Sequence, residues 1–343
     1  MEDTAKLDIK QAAKEILETI DRDREREIIA RRFGLYDRKE TLEQIGELLG
    51  ITRERVRQLE KAILIRLKLA AEKDLPHINQ IEKEFIKNLS EMGRVARVSD
   101  LAKKVSQNAD DRDRAHVAFL ATLAPNLTVL DENDDFYQAV AIKEYYDEKQ
   151  LKERIGEVVK TIKAHGSPLT IAELHSQLNG YEHPDHVRAL ASVSKSLAHL
   201  KDQWGHIKWP LVNPKNIRDK IYVILQENEK PMHFSEIAKH IKDSDFKRKD
   251  VTTQAIHNEL IKDGRFVLIG RGIYALKEWG YQKGTVADII TKILKKNKEP
   301  MHRDDIVREV LKSRQVKETT ILLNLQGKAQ FKRVAKATYE LAQ

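Results

Sequence analysis

Apolar residues in the first part of the chain recur every three or four positions, the spacing of helices that bury one face. Ile9, Ala13, Ile16, Leu17 and Ile20 make one stripe. A second helix is expected from about Arg24 to Phe33, with Gly34 placed to end it. Leu42, Ile45, Leu48 and Leu49 predict a third buried face. Val56, Leu59, Ile63 and Leu67 predict a fourth, on a helix that runs to about Leu69 and stops before Pro76.

The third and fourth helices carry their own start and stop signals. Thr41-Leu42-Glu43-Gln44 has the spacing of a capping box, in which the Thr hydroxyl and the Gln side chain each satisfy a free amide. Gly46 is small where the next helix must cross closely. Gly50 can take the left-handed conformation that ends a helix, and Thr52 can cap the next one. Two short capped helices joined by a glycine turn describe a helix-turn-helix.

Farther along, one pattern is used again. Ile224-Leu225, Asn228, Pro231-Met232-His233 and Ile237 return 69 positions later as Ile293-Leu294, Asn297, Pro300-Met301-His302 and Ile306. Phe266 and Tyr274 return as Phe331 and Tyr339, an offset of 65, so the second copy is four residues shorter in between. Pro168-Leu169 with Glu173-Leu174 marks a fainter copy, and Val98 with Asp100-Leu101 a possible fourth. Each unit reads helix, short extended link, helix, helix, then two strands, the clearest hairpin turn being Gly270-Arg271-Gly272. The fold expected is mainly α: a helix-turn-helix over residues 1–75, followed by tandem winged-helix modules at 80–145, 150–213, 216–281 and 285–343. A string of helical protein-binding repeats is the other reading of the same pattern.

Composition narrows the chemistry. Lys and Arg number 62 against 54 Asp and Glu, a net charge of +8 that favours phosphates or anionic surfaces without choosing between them. With no cysteine, disulfides, cysteine nucleophiles and cysteine-ligated zinc are excluded together. No apolar run approaches the ~20 residues that span a bilayer, and no secretory signal is read at the N-terminus. A cytoplasmic, nucleoid-associated protein with no membrane contact is expected.

On the fourth helix, Arg53, Glu54, Arg57 and Gln58 lie away from the apolar ridge, since 53/57 and 54/58 are each four apart. Arginine can grip guanine, glutamine adenine, and glutamate can accept from cytosine. Arg55, Lys61, Arg66 and Lys68 surround this face as phosphate partners. A solvated charged face is the plain alternative for these cations taken singly; the joint pattern of caps, small residue, turn and ridge argues against it.

The run Thr41-Leu42-Glu43-Gln44-Ile45-Gly46 with Ile51-Thr52-Arg53-Glu54-Arg55-Val56-Arg57-Gln58-Leu59-Glu60 resembles region 4.2 of primary sigma-70 factors. Arg24-Glu25-Arg26-Glu27-Ile28-Ile29 and Arg31-Arg32-Phe33-Gly34-Leu35 resemble region 4.1. The resemblance covers about residues 8–70. It implies a bacterial transcription protein, a regulator or polymerase accessory factor. Its ligand would be double-stranded DNA carrying a −35-type element, and it could dock on the β flap of core RNA polymerase. Carried over by position, Arg53, Glu54, Arg57 and Gln58 would read bases. Arg24, Arg32, Thr52, Arg55 and Lys61 would meet the backbone. No segment upstream matches the clamp-binding and −10-melting parts of a complete sigma factor, so unaided promoter opening is not expected. An adaptor that docks on polymerase without reading sequence is the alternative.

Residues 216–281 resemble the HARE-type winged helix-turn-helix, on Pro231 through Ala238, Val251 through Leu260 and the Gly270-Arg271-Gly272 hairpin with Tyr274. Residues 285–342 resemble a degenerate copy, with Ala335-Lys336-Ala337 in place of the glycine turn. In the former, Lys247, Arg248 and Lys249 precede a helix bearing Thr253, Gln254 and His257, and Arg271 tips the wing. These form a candidate second DNA contact, an ordinary polar helix face being the alternative.

Catalysis finds no support. No Gly-rich loop ends in Lys-Ser or Lys-Thr. His183 and His186 could share a metal but lack a further ligand and read as surface histidines. The acidic run Asp131, Glu132, Asp134 and Asp135 lacks a calcium-loop pattern and is expected to tip a hairpin. Neither enzyme activity nor a metal or cofactor is expected.

Overall fold

The computed structural model describes residues 8–106, 108–281 and 283–342. The chain begins with α1 (Ile9–Glu18), α2 (Asp23–Phe33), α3 (Leu42–Leu49) and α4 (Arg53–Ala71). Local chemistry sets their ends. The Asp8 carboxylate accepts from the Lys10 and Gln11 amides at the start of α1, and Gly34 closes α2 at φ 76°.

A unit of six elements then occurs four times. The first is α5 (Ile78–Glu91), β1 (Val95–Arg97), α6 (Val98–Val105), α7 (Asp111–Leu123), β2 (Leu127–Leu130) and β3 (Ala139–Ile142). The second is α8 (Glu148–His165), β4 (Leu169–Thr170), α9 (Ile171–Ser176), α10 (Pro184–Val193), β5 (Leu197–Leu200) and β6 (Gln203–His206). The third is α11 (Ile217–Asn228), β7 (Met232–His233), α12 (Phe234–Asp243), α13 (Thr253–Lys262), β8 (Phe266–Gly270) and β9 (Ile273–Leu276). The fourth is α14 (Val286–Asn297), β10 (Met301–His302), α15 (Arg303–Ser313), α16 (Glu318–Gly327), β11 (Phe331–Ala335) and β12 (Thr338–Leu341). The protein is mainly helical, with four small sheets.

Each sheet has three antiparallel strands with the last strand in the middle: β1-β3-β2, β4-β6-β5, β7-β9-β8 and β10-β12-β11. The third and fourth units agree in register. Met232 pairs with Tyr274 as Met301 pairs with Tyr339, and Phe266 with Leu276 as Phe331 with Leu341. At the hairpin turn Gly272 has φ 72° and its counterpart Ala337 φ 58°. The fourth unit therefore keeps the left-handed turn with a side chain in it, at a cost of about 1–2 kcal/mol.

Contacts divide the chain into two compact units, one ending at Ile207 and one starting at Lys208. In the first, one hydrophobic core runs from Ile9 to Ile142 and joins α1, α2 and α4 to α5, α6 and α7. The link is α7, a helix buried on nearly all sides through His116, Val117, Ala118, Phe119, Leu120, Ala121 and Leu123. It packs on α1, α2 and α4, with Phe119 edge-on to Phe33 at 5.2 Å between ring centres. Asp113 of α7 is buried beside the Lys10 ammonium of α1 at 3.0 Å. Helix α10 similarly packs on β1. A Cβ on Gly93 would stand 2.4 Å from the Asp185 carbonyl oxygen, so only glycine allows that approach. The acidic run 131–135 lies between β2 and β3, where Glu132 pairs with Lys195 at 2.7 Å.

In the second unit, β8 is an edge strand whose outer carbonyls are taken by the segment between α15 and α16. Gln315 donates its amide to the Ile269 carbonyl at 3.1 Å, and the buried Arg314 guanidinium donates to that of Leu268. Among the described residues no helix is long and apolar enough to cross a membrane.

Candidate nucleic-acid interface

The helix-turn-helix is built by local bonds around a very small core. Gln44 donates its amide to the Thr41 hydroxyl at 3.2 Å, and Thr41 donates its amide to the Gln44 side-chain oxygen at 2.9 Å, so both halves of the capping box form. Gly50 ends α3 at φ 64°. The Thr52 hydroxyl accepts from the Arg55 amide at 3.2 Å and starts α4. Ile28, Ile45 and Val56 are fully buried together, with Leu42, Leu49, Ile51 and Leu59 packed around them. Farther along α4, Ile63, Leu67 and Ala71 enter the larger core shared with α7. Helix α4 is thus held by α2 and α3 at its start and by α7 at its end.

One expected core residue is displaced. Leu48, assigned above to the buried stripe of α3, is 55% exposed. A helix turns about 100° per residue, so Leu48 stands that far from Leu49, while Leu42, Ile45 and Leu49 share the side that meets Ile28 and Val56.

The outer face of α4 carries Arg53, Glu54, Arg57 and Gln58, all exposed, and Arg55 and Lys61 beside them. Four of these side chains bond one another. Arg57 grips Glu54 through two bonds, Nη2 to Oε1 at 2.6 Å and Nε to Oε2 at 2.8 Å. Gln58 donates to Glu54 Oε1 at 3.3 Å, and Arg55 to Gln58 Oε1 at 3.5 Å. The Arg57 guanidinium holds the Glu54 carboxyl down to about 2, and Glu54 in turn raises the Arg57 pKa. The pair therefore stays charged at neutral pH, with the Nε and Nη2 side of the Arg57 guanidinium held by Glu54 in a two-bond fork. Arg53 and Lys61 are exposed and form no ion pair with any described residue.

Residues 22–69 match the sigma-70 region 4 family model. The segment is also similar to whole sigma factors. RNA polymerase sigma factor SigA1 of Synechococcus elongatus is 45% identical over 65 residues, 19% of this chain and 15% of that protein. SigA of Microcystis aeruginosa is 38% identical over 80 residues, 23% of this chain and 18% of that protein. SigA of Synechocystis sp. is likewise 38% identical over 80 residues, covering 17% of its length. The chain thus spans under a fifth of the length of these relatives. The family match opens at Arg22, so α1, included in the resemblance drawn from about residue 8, lies before it. A region 4 segment ties the chain to DNA binding and transcription in general terms.

Within the region 4 segment, the arginines expected at the DNA backbone have structural partners. Arg24 donates to the Leu49 carbonyl and so fastens α2 to the end of α3. Arg32 is half-buried, bonding Glu60 at 3.1 Å and the Glu40 carbonyl at 3.3 Å. Arg66 meets Glu25. These ties brace α2 against α3 and α4. Nothing in the linear spacing announced them, because each partner lies outside the arginine's own helix.

The second candidate group collects around α13. Lys247, Arg248 and Lys249 are exposed in the loop before it, Thr253 and Gln254 are exposed on its first turn, and Arg271 is exposed at the hairpin turn. Gln254 donates to Asn258 at 3.1 Å. His257 differs from the others. It is half-buried, its ring 4.8 Å from that of Phe234 and 6.1 Å from that of Tyr274, and so belongs to the packing between α13 and the sheet. Two lysines passed over in the sequence, Lys239 and Lys242 of α12, stand in the same cleft as Lys249. Their signal was a spacing of three on α12, visible once that helix is placed beside α13. His183 uses its Nδ1 to accept from the Asp185 amide at 3.2 Å, capping α10.

Proposed function

We propose that the chain is a DNA-binding transcription protein, a regulator or polymerase accessory factor, that reads a −35-type promoter element through the first two turns of α4. Arg53, Glu54, Arg57 and Gln58 take the base-reading role. Thr52, Arg55 and Lys61 face the flanking phosphates, Arg24 stands at the edge of the same surface, and Arg32 reaches it only by leaving Glu60. What carries this reading is the fork of Arg57 on Glu54, exposed on a helix whose opposite ridge is buried from Val56 to Ala71.

Around it we propose winged helices at 80–145, 150–213, 216–281 and 285–343, the last two of HARE type. Three helices and a sheet with its final strand in the middle support that reading. Docking on the β flap of core polymerase is proposed from the region 4 likeness alone. No catalytic role is proposed.

The test is selection of bound duplexes from a random pool by the full chain, with and without core polymerase, for wild type and Arg57→Ala. One enriched motif for wild type is expected, with affinity for it falling about tenfold or more in the variant and preference relaxing at one or two positions. No enriched motif under either condition would reject the reading.

The adaptor reading has one observation in its favour: α7 and α10, the third helices of their modules, are already spent on protein contacts. It predicts retention of core polymerase by a variant carrying Arg53→Ala, Arg57→Ala and Gln58→Ala together, with no motif enriched by the wild type.

A further inference from the structure

We propose that the module formed by residues 216–281 is a second, sequence-independent DNA-binding face that grips backbone phosphates with Lys239, Lys242 and Lys249. The proposal takes duplex DNA as ligand from the reading of α4 but assigns it to different residues.

The third helices of the four modules differ in what they can meet. Helix α7 is enclosed by α1, α2 and α4, and α10 lies on β1. Helix α16 is open but apolar where it matters. The positions of His257 and Asn258 become Leu322 and Leu323, the latter 68% exposed, and that of Lys242 on α12 becomes Leu311. Of these four third helices, α13 alone carries no acid in its first turn, where Thr253 and Gln254 are exposed behind a basic loop; α7, α10 and α16 open on Asp111, Asp185 and Glu318.

That approach is a cleft of about 690 Å³ lined by Lys239, Lys242, Lys249, Asp250, Thr252 and Thr253. Three ammonium groups face one carboxylate there, and neither Lys239 nor Lys242 pairs with an acid among the described residues. Lysine is a flexible point charge suited to phosphate rather than to the forked reading of a base. The basic loop is also braced from beneath. Lys220, buried in α11, donates to the Arg248 carbonyl at 2.6 Å, and Lys249 to that of Ser244 at 3.0 Å. A peptide partner is the less favoured occupant, because the cleft has no exposed large apolar side chain on its walls.

The experiment is a salt titration of full-length chain on two fluorescent duplexes, one carrying the selected motif and one scrambled. Wild type, Lys239→Ala/Lys242→Ala/Lys249→Ala and the corresponding triple Arg variant are compared. Each neutralised phosphate contributes about 0.9 to the slope of log affinity against log salt. The Ala triple should therefore lose about 2–3 in slope on both duplexes and weaken on both by the same factor, while the Arg triple keeps the slope. An unchanged slope in the Ala triple overturns the proposal, as does a loss confined to the motif duplex. The reading of α4 fails separately, by an Arg57→Ala variant that leaves base preference intact.

Discussion

Gly46→Ala tests whether the geometry of the helix-turn-helix, rather than its charge, sets recognition. The new Cβ would lie 2.6 Å from the Ile51 carbonyl oxygen, against 3.4 Å for an ordinary contact, so the turn must retreat by about 0.8 Å (3.4 minus 2.6). Ile51 is backbone there, not the end of a flexible side chain, and its own amide donates to the Gly46 carbonyl at 2.9 Å. Pushing the two residues apart strains that bond and drags the Thr52 cap with it. Over-packing of this kind costs about 1–3 kcal/mol. For a unit of roughly 200 residues each kcal/mol lowers Tm by about 2–4 °C. Gly50→Ala is the control. Its Cβ meets nothing within 4 Å, and only the left-handed backbone at φ 64° is penalised, by about 1 kcal/mol. Melting of both variants, with amide exchange at Arg55 and Val56, separates a clash from a backbone penalty. Motif binding should fall more than scrambled-duplex binding in Gly46→Ala, because the start of α4 is displaced while its charges remain. A Gly46→Ala protein that melts with the wild type and keeps its motif preference would refute the reasoning.

Thr52→Ala removes the acceptor for the Arg55 amide and should destabilise the start of α4 by about 1 kcal/mol, seen as faster exchange at Arg55 with little change beyond Ile63. Glu54 has its pKa lowered from 4.5 to about 2, so its pairing with Arg57 is complete above 4.5 and is lost as pH falls toward 2. Base preference should accordingly be flat from pH 8 to 5, and a Glu54 side-chain NMR midpoint near 4.5 would contradict this. For Asp113, burial pushes the pKa up, but the Ser106 hydroxyl and Lys10 outweigh it and leave it below 3.8. Its stabilisation is present above 3.8 and lost below. Asp113→Ala should cost about 1–3 kcal/mol at pH 7, read by denaturant melting, and a variant as stable as the wild type would remove the α1–α7 tie from the account.

What was legible in the sequence was local. The Thr41–Gln44 box, the Gly50 turn and the Thr52 cap each depend on residues within four positions, and all three form as spelled out. The ridge from Val56 to Leu67 was readable because nineteen residues of helix give the period room to show. Leu48 was misassigned because α3 has only eight residues, too few for its centre of burial to be fixed without its neighbours. The repeat gave element order, but the Met–Tyr pairing shared by both copies joins strands more than thirty residues apart and was not read from it. It did not show that Ala337 holds the left-handed turn of Gly272, which depends on the turn being kept against a local cost.

The ties of Arg24, Arg32 and Arg66 were illegible for a different reason: charge is visible in a sequence, but its partner is not. A basic residue near a recognition helix reads the same whether it faces phosphate or braces a neighbouring helix. The structure separates the two by burial and geometry. Arg32 and Arg66 are tied to Glu60 and Glu25, whereas Arg53 and Lys61 form no ion pair among the described residues. The same distinction divides the repeated modules. An apolar run such as Val117 through Leu123 announces a helix buried on all sides, and α7 satisfies it by receiving α1, α2 and α4. A third helix that gives up its outer face in this way gains rigidity and loses access to a groove. The polar first turn of α13 marks the opposite choice. Copies of one fold thus differ in how their third helices are covered: α7 and α10 pack on neighbouring elements, whereas α13 shows a polar first turn and α16 keeps Leu323 exposed.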